Sequence, residues 1–85
     1  MTYLFNPAQV IEVESDELGA PVYFLWHRRK HVVDLVCKRW RIDENWWEDD
    51  RQFRDYFKLA TKSGLLIIIY RDLVRKSWRL QRMYD

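Results

Sequence analysis

The sequence predicts a mainly β domain, an antiparallel meander of about six short strands curled into a small barrel or half-barrel. Three observations favour this class. Apolar and polar residues alternate with a period of two over most of the chain. Clusters of turn-forming or charged residues separate the alternating segments, and the connections are short. No repeat or change of composition divides the 85 residues, so we expect a single domain over residues 1–85.

The first two strands follow from alternation and from a turn. Residues 9–15 place Ile11 and Val13 on one face and glutamates on the other, as a half-buried strand does. Residues 16–21 contain Gly and Pro and predict a turn. Residues 21–28 then alternate again and predict the second strand.

The third strand is predicted over residues 31–42, with an irregularity inside it. Its apolar positions change from odd to even numbers: Val33, Leu35 and Cys37, then Trp40 and Ile42. One bulge or bend near Lys38 would bring all of them to the inner face. Residues 43–52 are acidic and predict a loop. An α+β fold, with a short helix over residues 43–53, is the alternative.

Three further strands are predicted in the last third of the chain. Residues 53–59 alternate, residues 62–64 supply a tight turn, and residues 65–70 are apolar on both faces, as in a central strand. A turn over residues 72–76 leads to a last strand over residues 77–83. We therefore expect Phe57, Leu59, Trp78 and Leu80 to point inward, together with Trp26 and Trp40. Cys37 is expected to be buried.

Composition limits the compartment and the partners. A single cysteine excludes an intrachain disulfide and favours a reducing compartment. The N-terminus is not typical of a signal peptide, and the longest apolar run is too short to cross a membrane. We therefore expect a cytoplasmic protein without membrane contact. The net charge of +2 conceals a segregated pattern, with nine basic residues against three acids in residues 51–85.

The residues that bear chemistry do not form a catalytic or cofactor motif. The serines lack a neighbouring base and a glycine-rich elbow. Two glycines cannot form a phosphate-binding loop, and no cofactor or small-molecule substrate is expected. His27, His31 and Cys37 lack the paired spacing of a zinc site. We therefore expect neither an enzyme nor a metal site.

Basic and aromatic residues supply the candidate binding site. If the apolar positions face inward, a set of basic residues and one tyrosine faces outward: Arg39, Arg41, Arg54, Tyr56, Lys58 and Arg79. Lys and Arg neutralise a phosphate backbone while bases stack on aromatic rings. The pattern thus indicates nucleic-acid binding, although a merely solvated face would alternate in the same way.

Three segments carry a resemblance to a bacterial family. They are Lys38-Arg39-Trp40-Arg41-Ile42-Asp43-Glu44-Asn45-Trp46-Trp47, Arg54-Asp55-Tyr56-Phe57-Lys58-Leu59 and the ending Trp78-Arg79-Leu80-Gln81-Arg82-Met83-Tyr84-Asp85. Over about residues 22–85, the chain resembles a family of small domains found with the inactive Y-family polymerase homologue ImuB. The resemblance implies a part in the mutasome, which performs error-prone synthesis past DNA lesions. It implies no catalytic residues.

Two functions fit that setting. In the first, the domain binds nucleic acid through its basic face in DNA-damage tolerance. In the second, it is a protein adapter that docks an ImuB-like homologue or another mutasome protein through Trp46 and Trp47, or through a sheet edge. Binding that weakens steeply with salt favours the first function.

Overall fold

The protein consists of six antiparallel strands, seen in a computed structural model that describes residues 2–44, 47 and 51–84. The strands are β1 (Thr2–Ser15), β2 (Pro21–Trp26), β3 (Arg29–Glu44), β4 (Gln52–Thr61), β5 (Leu66–Asp72) and β6 (Ser77–Tyr84). Each strand pairs with the next in the chain, and β6 pairs with β1, so the ring of pairings closes into a small barrel. The predicted mainly β meander is confirmed.

The core lies inside this ring and comes from alternate positions of the strands. Its fully buried apolar side chains are Phe24, Phe57, Leu59, Ile67, Ile69 and Leu80. β-Branched and aromatic residues fill such a pleated interior well, which explains why the sequence pattern identifies these strands. The inward positions predicted for Phe57, Leu59 and Leu80 are confirmed. Trp26 and Trp78 pack against the core but stay partly exposed.

Strand β3 contains two bulges where one was predicted. The pairing with β4 shifts between Val33 and Leu35 and again between Val36 and Lys38, so that Asp34 and Cys37 are extra residues. Each bulge exchanges the two faces of a strand. One bulge would put Trp40 inside, whereas two restore the original alternation. The inward position predicted for Trp40 and Ile42 is therefore wrong.

The second bulge also overturns the expected burial of Cys37. Its side chain is exposed, and its free thiol lies at the surface. Leu35, which was also assigned to the inner face, is 59% exposed. The bulges lift both residues out of the inward row that Val33 and Val36 continue towards the core.

The N-terminal part of the chain is more ordered than its sequence suggested. Strand β1 begins at Thr2, well before the predicted start at Gln9. Its register against β6 passes from Leu4 opposite Arg82 to Gln9 opposite Leu80, so residues 5–8 lie opposite the single residue Gln81. This wide bulge breaks the alternation by which a strand is recognised.

The segment proposed as a loop or a short helix is described only in part. Strand β3 continues to Glu44 and β4 begins at Gln52, so both ends of that segment are extended. Between them, only Trp47 and Arg51 belong to the described residues, and Trp46 lies outside them. None of the residues described here forms a helix long and apolar enough to cross a lipid bilayer.

Candidate nucleic-acid interface

The candidate interface is the outer face of strands β3 to β6, the side of the sheet that points away from the core. Directly opposed residues in an antiparallel sheet share a face. Trp40 is opposite Tyr56, Tyr56 is opposite Tyr70, and Tyr70 is opposite Arg79. These four residues form one continuous row across four strands. The register adds five more residues to the outer face: Lys38, Arg54, Lys58, Arg82 and Tyr84.

The three aromatic rings of the row are stacked in sequence. The Trp40 and Tyr56 ring centroids are 5.2 Å apart, with planes inclined by 10°. The Tyr56 and Tyr70 centroids are 5.0 Å apart. Only 5% of Tyr56 and 4% of Tyr70 is exposed, because Trp40 covers one ring and the Arg54 guanidinium lies 4.6 Å from the centroid of the other. The exposed position predicted for Tyr56 is therefore wrong, and Trp40 forms the outer end of the stack.

The cations of this face lie over aromatic rings instead of beside carboxylates. Lys38 is 5.4 Å from the Trp40 centroid, and Lys58 is 5.5 Å from that of Tyr84. Arg54 donates a 3.2 Å hydrogen bond to the Tyr56 hydroxyl, and Arg82 contacts the ring of Tyr84. Such contacts orient a cation but leave its charge in place.

Carboxylates on this face do not cancel that charge. Among the described residues, no carboxylate lies within 4.0 Å of the cationic groups of Lys38, Arg54, Lys58, Arg79 and Arg82. Asp72 is opposite Arg54 but is only 2% exposed. Its oxygens accept hydrogen bonds from the backbone of Val74 and Arg75 and from the Arg75 side chain. The outer face therefore has an uncompensated positive charge.

Two residues predicted for this site lie on the opposite face of the sheet. Arg39 is opposite the buried Phe57, and Arg41 is opposite Asp55, which is 6% exposed. Arg41 makes a bidentate ion pair with Asp55, with N–O distances of 2.6 and 3.1 Å, and Arg39 approaches the same carboxylate at 3.7 Å. The grouping of Arg39 and Arg41 with Tyr56 is wrong, because the two bulges turn them to the inner face.

The other four predicted site residues, Arg54, Tyr56, Lys58 and Arg79, do share one face. The sequence analysis missed five of its members: Lys38, Trp40, Tyr70, Arg82 and Tyr84. Three of these depend on irregularities of register. Lys38 and Trp40 follow the second bulge of β3, and Arg82 follows the extra residue Gln81 of β6. The cross-strand alignment of Tyr70 with Tyr56 was the signal that was available but unused.

The Arg41–Asp55 pair predicts an acid-sensitive contribution to stability. The hydrogen bond from Arg41 lowers the pKa of Asp55, against an opposing effect of burial, and the charges of Arg41 and Arg39 lower it further. A lowered folded-state pKa stabilises the protein above the unfolded value of about 3.9, and this contribution is lost as the pH falls through the folded-state pKa. Asp55→Asn should therefore cost about 1–3 kcal/mol at neutral pH.

Denaturation of parent and variant between neutral and strongly acidic pH checks this prediction. The difference in their free energies of unfolding should shrink as the pH falls below about 4. Because Asp72 also titrates in the parent and in the variant, only the difference between them reports on Asp55. A difference that stays constant with pH would contradict the assignment.

The outer position of Trp40 predicts a moderate effect for Trp40→Ala. The variant loses a stacked contact and part of the burial of a large side chain, so we expect a loss of about 1–2 kcal/mol. Exposure of the Tyr56 ring should accompany it. Equilibrium denaturation measures the first effect and tyrosine fluorescence quenching the second. A cost as large as that of a core residue would contradict the outward position.

Comparison with known proteins yields a family. The model of a family described as a domain of unknown function, DUF6504, matches residues 5–85. Searches of curated proteins and of solved structures returned no match. Since the match spans nearly the whole chain, the protein belongs to the DUF6504 family.

Proposed function

We propose that this domain is a non-catalytic module that binds nucleic acid through the outer face of β3 to β6. Phosphate groups would contact Lys38, Lys58 and Arg82 along the face, and exposed parts of Trp40 and Tyr84 would support bases. Aromatic rings stack on any base, so such a surface binds strands with little preference for sequence.

The observation that supports this proposal best is the contrast between the two faces of one sheet. On the inner face, Arg39 and Arg41 share the carboxylate of Asp55. On the outer face, five cations have no such partner among the described residues. A cluster of unpaired cations repels itself, and a polyanion relieves that repulsion. A face that was merely solvated would gain from interspersed acids, which this one lacks except for the buried Asp72.

We further propose that this binding serves DNA-damage tolerance. The proposal rests on the resemblance of residues 22–85 to domains found with ImuB, a setting in which a strand-binding accessory module would hold template or primer. An ImuB-like homologue or another mutasome protein is then the expected neighbour on that strand.

Titration of labelled single-stranded and duplex DNA at two salt concentrations tests the proposed function. If four cations contact phosphates, log Kobs should fall against log salt with a slope of about −3 for single strands and about −4 for duplex. Fluorescence anisotropy at about 50 and 200 mM salt resolves such slopes, because each contact is worth several-fold over that interval. Absence of binding at the lower salt concentration would refute nucleic-acid binding.

A protein adapter is the second candidate, and two observations favour it. Trp47 is 66% exposed, which is unusual for so large an aromatic residue. In addition, β2 pairs with β3 only as far as Val32, so within the described chain the second edge of residues 34–44 has no strand partner. A partner could add a strand there. Salt-tolerant binding to a mutasome protein that Trp47→Ala abolishes would support the adapter.

A further inference from the structure

A pocket with a volume of about 400 Å³ opens where the wide bulge of β1 passes the outer face. Residues 4–8 of β1 form one side, and Arg54, Tyr70, Arg79 and Gln81 form the other. The volume falls within the range of small-molecule sites. Residues 5–8 have no register partner on β6, which leaves backbone groups of that segment available to a ligand.

One wall of the pocket holds two arginines without carboxylate partners. The Arg54 guanidinium lies over the Tyr70 ring, and Arg79 is the cross-strand neighbour of Tyr70 on the other side. The Nε atoms of both arginines are shielded from solvent and make no hydrogen bond. Two cations held beside one ring repel each other, and a bound anion removes this repulsion.

The third group of this wall is a neutral hydroxyl. Burial raises the pKa of Tyr70, although the charges of Arg54 and Arg79 act in the opposite direction. The side chain therefore keeps its proton at neutral pH and can donate a hydrogen bond. Two guanidinium groups and one hydroxyl are the donors that phosphate oxygens prefer.

The remaining walls are not those of a simple phosphate site. Leu4, Phe5 and Pro7 give an apolar side, and Asn6 and Gln81 bring two side-chain amides. Amides donate and accept hydrogen bonds, as the edges of nucleobases do. A charged wall, an apolar wall and two amides correspond to the phosphate, the flat base and the base edge of a nucleotide.

We infer that this pocket binds a single nucleotide, with its phosphate at Arg54 and Arg79 and its base on the apolar side formed by Leu4 and Pro7. The inference rests on the proposed nucleic-acid binding and adds a defined seat to it. In that reading, the strand follows the outer face and one of its nucleotides, at an end or turned out of the strand, enters the pocket.

Binding of thymidine monophosphate, compared with thymidine, tests the pocket without a strand. Isothermal titration should show the phosphate-bearing probe binding at least about tenfold more tightly, because charge-assisted hydrogen bonds are lost with the phosphate. The side-chain Nε–H signals of Arg54 and Arg79 should shift in nitrogen-resolved NMR spectra. Arg54→Gln with Arg79→Gln should abolish both effects, while the matched control Arg29→Gln with Lys62→Gln, at the far end of the barrel, should preserve them.

Ala8→Phe provides a second variant that changes no charge. It should fill the pocket and weaken nucleotide binding at least about tenfold, while the salt dependence of strand binding stays that of the parent. Circular dichroism and the melting temperature verify that the variant folds.

The outcomes separate this inference from the proposed function. Strand binding that Ala8→Phe leaves intact, with no affinity for the nucleotide, would overturn the pocket and leave the outer face as the binding site. Nucleotide binding without strand binding would overturn the proposed function and keep the pocket as a site for free nucleotides. Absence of both would refute both.

Discussion

Replacing Lys58 and Arg82 with glutamate is expected to weaken strand binding at least tenfold, which corresponds to about 1.4 kcal/mol. Both residues lie on the outer face, outside the nucleotide pocket, and neither is paired with a carboxylate of the described chain. Each substitution removes one phosphate contact and places a like charge beside the backbone. The loss should be similar for different sequences, because phosphate contacts carry no information about bases.

The salt dependence of this variant distinguishes lost contacts from a damaged fold. Two lost contacts should flatten the slope by about 1.4 units on a single strand. The charge-matched variant Arg29→Glu with Lys62→Glu changes exposed residues near the β2–β3 and β4–β5 turns and should bind as the parent does. Equal weakening in both variants would indicate a general effect of net charge and would contradict a defined face.

The largest expected effect on stability is that of Phe57→Ala. Phe57 is 1% exposed, packs against Trp78 with ring centroids 5.6 Å apart, and lies under the Arg39 guanidinium. Truncation leaves a cavity at the centre of a small core, which costs about 3–5 kcal/mol. For a domain of this size, such a loss approaches the whole stability, so part of the variant should be unfolded at room temperature.

Denaturant titration followed by tryptophan fluorescence measures this loss. The matched control is Phe53→Ala, two residues earlier on the same face of β4 but only partly buried, where guanidinium groups of Arg41 and Arg51 cover the ring. It should cost clearly less. Equal losses at the two positions would show that the core does not centre on Phe57.

The strands could be predicted because their signals are local. Residues 65–70 are apolar on both faces, and strand β5 is observed at Leu66–Asp72. The closing pairing of β6 with β1 could not be predicted, since it depends on the tilt of all six strands and on residues 2–8, whose bulge hides their alternation.

The faces of β3 could not be predicted for a different reason. A switch from Cys37 to Trp40 in the apolar pattern signals at least one bulge, but the number of bulges depends on the register against β4. Only the pairing shows that Asp34 is a second extra residue. One miscounted bulge moved Arg39 and Arg41 to the wrong face and kept Trp40 out of the site.

Arg54, Tyr56, Lys58 and Arg79 were grouped correctly because β4 runs without an internal bulge, and the alternation of Arg54 to Lys58 therefore translates directly into a face. The nucleotide pocket had no such signal. It depends on two opposed irregularities, residues 5–8 of β1 and Gln81 of β6, which only the assembled sheet brings together.

Mapping a bound single strand by NMR tests most directly whether the outer face binds nucleic acid. Titration of unlabelled DNA into nitrogen-labelled protein should shift the backbone signals of Lys38, Lys58, Arg79 and Arg82 together. The signals of Leu25 and Lys62, at the other end of the barrel, should stay unchanged. Shifts that spare the outer face and gather around Trp47 would contradict the account and favour the adapter.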